Sequence, residues 1–90
     1  MKRVQITIKG RVQGVFFRAF IKDRAIELGL TGYTRNVNTQ VVEAIVEGHE
    51  IKINQLIEAC KSGPSGAEIQ EINVTSLPYT GEFKQFRVKY

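Results

Sequence analysis

Apolar and polar residues alternate from the start of the chain, with Val4, Ile6 and Ile8 set against Arg3, Gln5, Thr7 and Lys9. A period of two predicts a strand with one buried face. The period then lengthens. Phe17, Phe20, Ile21, Ala25 and Leu28 share one helical face, and Gly29 is placed to stop that helix. Residues 31–37 and 41–47 read as two strands, joined through Asn38 and Thr39 without the favoured Asn-Gly pair of a tight hairpin. Val42, Ala44 and Val46 lie on one face of the second of these strands. Ile53, Leu56, Ile57 and Cys60 follow the i, i+3, i+4, i+7 spacing of a second amphipathic helix. Ser62-Gly63-Pro64-Ser65-Gly66 is a loop. Residues 67–75 read as a further strand, and the change of parity among Ile69, Ile72 and Val74 predicts a bulge. Leu77 to Gly81 reads as a turn, and Phe86, Val88 and Tyr90 alternate in a last strand.

The resulting order is β-α-β-β-α-β, with the fourth strand read as split. It predicts an α+β, ferredoxin-like sandwich in which two helices cover one face of an antiparallel sheet. Residues 1–90 are read as one domain. This fold hosts many unrelated activities, so function has to come from particular residues.

Composition narrows the choice only slightly. The chain is 42% hydrophobic and 24% charged, an ordinary globular balance. Its net charge of +4 favours anionic partners without saying which. One cysteine, Cys60, allows no intrachain disulfide and suits a reducing cytosol. The early alternation leaves no apolar core for a signal peptide, and no run reaches membrane-spanning length. These features predict a cytoplasmic protein with no membrane partner, and a monomer is the default for so small a domain.

The most informative chemistry lies between Ile8 and Arg18. Here a strand ends, a glycine-flanked loop follows, and a helix opens on an arginine. Positions 13 to 16 are Gln, Gly, Val and Phe, so no Ser, Thr, Asp or Asn is present to accept the first N–H groups of the helix. Arg18 adds positive charge at a helix end that is already partly positive. An anion resolves both problems, and backbone donors beside an arginine suit a phosphate group.

The residues Ile8, Gly10, Val12, Gln13, Gly14, Val15, Phe17 and Arg18 make this segment similar to the first signature of the acylphosphatase family. Gly32-Tyr33-Thr34-Arg35-Asn36, followed by Val42 and Gly48, resembles the second. The order of elements agrees with that family along essentially the whole chain. Two positions depart from its pattern. Thr34 stands where the family usually has a small apolar residue, and Gln40 where it usually has glycine. A buried Thr34 hydroxyl needs a hydrogen-bond partner. A hairpin lacking that glycine needs another residue at positive φ, for which Asn38 is the candidate.

The resemblance implies hydrolysis of the carboxyl–phosphate anhydride of an acyl phosphate, releasing a carboxylate and inorganic phosphate without a metal or a covalent intermediate. It implies Arg18 and Asn36 as catalytic residues. Arg18 would grip the phosphoryl oxygens and Asn36 would orient the attacking water. The phosphate-binding segment would be Gln13, Gly14, Val15, Phe16, Phe17 and Arg18, acting largely through backbone N–H groups. Asn36 shares strand parity with Thr34, which allows it to face the helix side of the sheet. Phe16 occupies a position the motif leaves free, at the entrance or acyl side of the pocket.

Taken singly, these residues read more blandly. A lone Arg18 is a solvated helix residue and a lone Asn36 a turn or edge residue; the uncapped loop and the two motifs together reverse that. Gly10 reads as structural, Cys60 as core rather than nucleophile, and His49 as a surface or capping residue. Tyr33 and Tyr90 read as packing, and Lys22, Asp23, Arg24 and Glu27 as a solvated face. One His and one Cys without clustered carboxylates form no ordinary zinc site, so neither metal nor cofactor is expected. RNA-recognition domains share the element order, but they stack bases on strand aromatics. The exposed strand positions here are Arg3, Gln5, Thr7 and Lys9 beside Val41, Glu43, Ile45 and Glu47, so nucleic acid is a poor partner. A phosphate sensor with the same cradle and no turnover is the other alternative.

Overall fold

The computed structural model describes residues 1–12 and 16–89. Its elements are β1 (Lys2–Arg11), α1 (Phe17–Glu27), β2 (Thr31–Asn38), β3 (Val41–Gly48), α2 (Glu50–Ser62), β4 (Glu68–Leu77) and β5 (Phe86–Lys89). The strands form one sheet in the order β4-β1-β3-β2-β5. The ferredoxin-like order predicted from periodicity is present, with one correction to the sheet. Four strands pair antiparallel, whereas β5 runs parallel to β2, so the sheet is mixed. Nor is β5 the second half of a split fourth strand. It lies at the opposite edge from β4.

The core lies on the helix side of the sheet, in rows of paired residues. Ile72, Ile8, Val42 and Asn36 line up across four strands, and Val74, Ile6, Ala44, Thr34 and Val88 across five. Ile6, Ile8, Val42, Ala44 and Val46 are fully buried, as the alternation predicts. From α1 they meet Phe17, Ile21 and Ala25, and from α2 Ile53, Leu56 and Cys60. Helix α1 ends where Gly29 was expected to stop it. Gly29 (φ 71°) and Leu30 donate their N–H groups to the carbonyls of Ile26 and Ala25, the paired bonds of a left-handed C-terminal cap.

Strand β4 carries the expected bulge. Its register with β1 passes from Lys9↔Glu71 to Gly10↔Ile69, leaving Gln70 as the extra residue. The bulge brings the β4 backbone so close that a Cβ on Gly10 would overlap the carbonyl of Glu68. Gly10, at φ 147°, is therefore needed both for its backbone angle and for lack of a side chain.

Residues 78–85 were read in part as a turn but form a long crossing instead, because β4 and β5 occupy opposite edges of the sheet. The crossing is anchored on the buried carboxylate of Glu47. Its Oε2 accepts from the N–H of Thr80 (2.9 Å), the Thr80 hydroxyl (3.2 Å) and Arg3 (3.3 Å), and its Oε1 from the N–H of Gly81 (3.1 Å). Arg3 also binds Glu82 at 2.7 Å, and this contact holds the Glu82 carboxyl below its usual range. Phe83 completes the anchor, packing edge-on to Tyr33 and beneath the Arg3 guanidinium.

Replacing Glu47 with alanine removes the acceptor shared by two backbone N–H groups of the crossing and Arg3, and is expected to cost about 2 kcal/mol in urea unfolding. Cys60 is completely buried, and desolvation pushes its thiol up to about 12. It should resist a thiol reagent in the native protein at pH 8 and react stoichiometrically in denaturant, measured by release of the chromophore.

Candidate functional site

The sheet topology brings three segments to one end of the molecule: the end of β1, the start of α1 and the β2–β3 hairpin. The join is a backbone bond, in which Gly10 donates its N–H to the carbonyl of Gln40 at 2.9 Å. Because β1 reaches the hairpin in this way, its last residues lie at the end of the sheet that carries Asn36.

The head of α1 has an unusual entry. Phe16 is the N-cap residue and adopts the left-handed conformation (φ 58°, ψ 33°), with no side-chain capping bond and no acidic residue in the first turn. The missing cap agrees with the sequence; the left-handed phenylalanine was not legible in it. A bulky residue in this region costs about 1–2 kcal/mol. A left-handed residue followed by a right-handed one also turns successive N–H groups to one side, here those of Phe16, Phe17 and Arg18, and such a concavity suits an anion. The first helical bond, from the N–H of Phe20 to the carbonyl of Phe16 at 2.9 Å, holds the turn. Phe17 anchors it below: its side chain is buried and meets Phe20 edge-on at 6.0 Å.

Arg18 is the second residue of α1 and is partly buried. Phe16 and Phe17 flank the start of the helix beside it. Gln13, Gly14 and Val15, assigned to phosphate binding from the sequence, lie outside the described residues, as does Tyr90. Asn36 is partly buried on β2, opposite Val42 and on the helix side of the sheet, as its parity allows. Among the described residues none hydrogen-bonds its side-chain amide.

The two departures in the second motif are absorbed differently. Thr34 is fully buried, and its hydroxyl donates to the carbonyl of Glu43 at 2.9 Å, so the extra polar group is satisfied. The expectation that Asn38 takes a left-handed conformation is wrong. Among the described residues Phe16 is the only non-glycine at positive φ. Instead the register slips between Asn36↔Val42 and Asn38↔Val41, so Val37 is an extra residue. The Asn38 side chain accepts the N–H of Gln40 at 2.9 Å. A bulge and a side-chain turn thus supply the bend that a glycine would otherwise make.

The charges around this end are largely engaged. Arg35 binds Glu43 at 3.1 Å, Arg11 lies 4.0 Å from Glu68, and the Lys89 ammonium sits 3.9 Å from the centre of the Tyr33 ring. The Lys89 contact and the Phe83 edge make Tyr33 a packing residue, not an open stacking surface. His49 stands at the N-cap of α2, exposed and without a side-chain capping bond. Among the described residues no group of three or more His, Cys, Asp or Glu is assembled as metal ligands.

A family model described as acylphosphatase matches residues 4–88. An acylphosphatase of Syntrophus aciditrophicus is 44% identical over 90 residues, covering 100% of this chain and 94% of that protein. The crystal structure of acylphosphatase from Bacillus subtilis superposes with a TM-score of 0.95 at 32% identity, covering all of both chains. A crystal structure of full-length HypF, bound to phosphate and nucleotide, matches with a TM-score of 0.89 at 34% identity, over 99% of this chain and 12% of that one. The matched span includes both motifs and every strand and helix of the sheet sandwich, and the chain belongs to the acylphosphatase family.

Proposed function

We propose that this chain hydrolyses acyl phosphates through the head of α1, with Arg18 and Asn36 as its catalytic residues. The observation that carries the reading is the entry to α1. There Phe16 is left-handed, no side chain caps the helix, and Arg18 follows two residues later. The phosphoryl group carries about two negative charges, and Arg18 with the neighbouring N–H groups offsets them.

The reaction asks little else of the protein. The leaving group is a carboxylate, stable as an anion, so no general acid is required. The remaining demand is to hold a water in line with the departing carboxylate. Asn36 serves this by accepting a hydrogen bond from the water at its amide oxygen or donating one from its amide nitrogen. The phosphoryl group itself takes the water's proton. No metal and no covalent intermediate enter this scheme. Gln13, Gly14 and Val15 complete the donor set by their place in the motif. The chain acts as a single-domain, cytoplasmic monomer on a small acyl phosphate. The single, buried cysteine and the absence, among the described residues, of a helix able to cross a membrane are compatible with that setting.

Benzoyl phosphate hydrolysis tests the reading. Arg18→Ala and Asn36→Ala should fold and lose on the order of 10² to 10⁴ in kcat/KM. Arg18→Ala should also raise the inhibition constant of inorganic phosphate, while Asn36→Ala acts mainly on kcat. A wild-type protein that binds phosphate but turns nothing over would refute the proposal. Excess EDTA should leave the wild-type rate unchanged; loss of activity restored by a divalent ion would remove the metal-free scheme.

A further inference from the structure

Phe16 carries two costs and gains nothing visible in the free protein. Its backbone is left-handed, a conformation disfavoured for a bulky side chain. Its ring is 84% exposed, the most exposed of the large apolar side chains described. The ring therefore contributes almost no burial to folding, and glycine would satisfy the backbone with less strain. A side chain that neither packs nor suits its backbone is one whose use comes with a ligand.

Its position says which part of the ligand. Resting on the proposed acyl-phosphate reading, the phosphoryl group sits against the N–H groups of Phe16, Phe17 and Arg18. The Phe16 ring is then attached to the cradle itself, one side-chain length from the bound phosphorus. In-line displacement sends the carboxylate away from the attacking water. With the water at Asn36, on the sheet, the acyl group points outward, towards the rim of the cradle. Val37, 45% exposed on the hairpin bulge, is the other large apolar side chain exposed at this end of the sheet among the described residues. Phe16 and Val37 thus offer apolar surface at this end, alongside the backbone donors at the head of α1.

We propose that Phe16 is a specificity-determining residue whose exposed ring stacks on the acyl group, so that acyl phosphates with a flat aromatic or extended apolar acyl group are favoured over acetyl phosphate. The contact covers apolar surface on both partners and is present in the bound substrate. An aromatic pair of this kind is worth roughly a three- to tenfold preference.

The test is the ratio of kcat/KM for benzoyl phosphate to that for acetyl phosphate, in wild type, Phe16→Leu and Phe16→Gly. The ratio should fall roughly three- to tenfold in Phe16→Gly, with Phe16→Leu in between, and thermal melting should show Phe16→Gly to be as stable as wild type or more so. A merely structural role lowers both substrates together and leaves the ratio within about twofold, and that result would overturn the proposal. Calorimetric binding of benzoylphosphonate and acetylphosphonate, which are not hydrolysed, gives the same ratio without turnover. If wild type hydrolyses neither phosphate, the enzymatic reading falls, and the phosphonate ratio still decides the Phe16 contact: a drop in Phe16→Gly supports it, an unchanged ratio refutes it.

Discussion

The geometry of the candidate site depends on how closely three backbones approach at Gly10. Strand β4 bulges against it on one side, so near that no Cβ would fit, and the hairpin carbonyl of Gln40 accepts its N–H on the other. The last residues of β1 are therefore held from both neighbours just before the chain leaves the sheet. The head of α1 is held in turn by Phe17, which is sealed in the core one residue after the left-handed Phe16. A site of backbone donors needs fixed flanks of this kind. An N–H that can turn away from an anion loses most of its value, because the donor must be aimed before the ligand arrives.

The opposite end of the sheet is organised by a different constraint. Strands β4 and β5 lie at opposite edges, so eight residues have to cross between them, 78–85. A crossing chain has no strand to satisfy its backbone. Glu47 does this locally, taking two N–H groups and a hydroxyl from the crossing, with Arg3 balancing its charge. The same arrangement covers part of the sheet face that a base-stacking domain would leave open. The two faces are thus separated in purpose: one buries the core under the helices, the other carries the return of the chain to β5, which closes the far edge beside β2.

Much of the frame was legible because it follows from side-chain periodicity. Val4, Ile6 and Ile8 could face only one way, and Phe17, Ile21 and Ala25 could bury only one side of a helix. The bulge in β4 showed as a parity change, and Gly29 as a helix stop. The missing N-cap at residues 13 to 16 was readable by residue type alone, and with Arg18 it pointed to an anion. One local reading failed and one feature gave no signal, for a shared reason. The hairpin was expected to bend at a left-handed Asn38, yet it bends by a bulge at Val37 and an Asn38 side-chain bond. Phenylalanine gives no sign of a left-handed backbone, yet Phe16 adopts one. In both places the backbone conformation is imposed by what the flanking elements require, not by the preference of the residue.

By itself, the sequence determined the element order, the buried faces and the chemical character of the segment from Ile8 to Arg18, because those depend on residue type and on spacing along the chain. Only the tertiary structure decided that β5 pairs parallel to β2 at the far edge, that Thr34 finds its acceptor in Glu43, and that Glu47 is buried under a crossing segment. It also decided that the end of β1, the head of α1 and the strand carrying Asn36 share one end of the sheet. These are contacts between residues distant in sequence. Strand pairing and backbone closure set them, and no local pattern of apolar and polar positions encodes which edge a strand will join or which carbonyl a buried hydroxyl will meet.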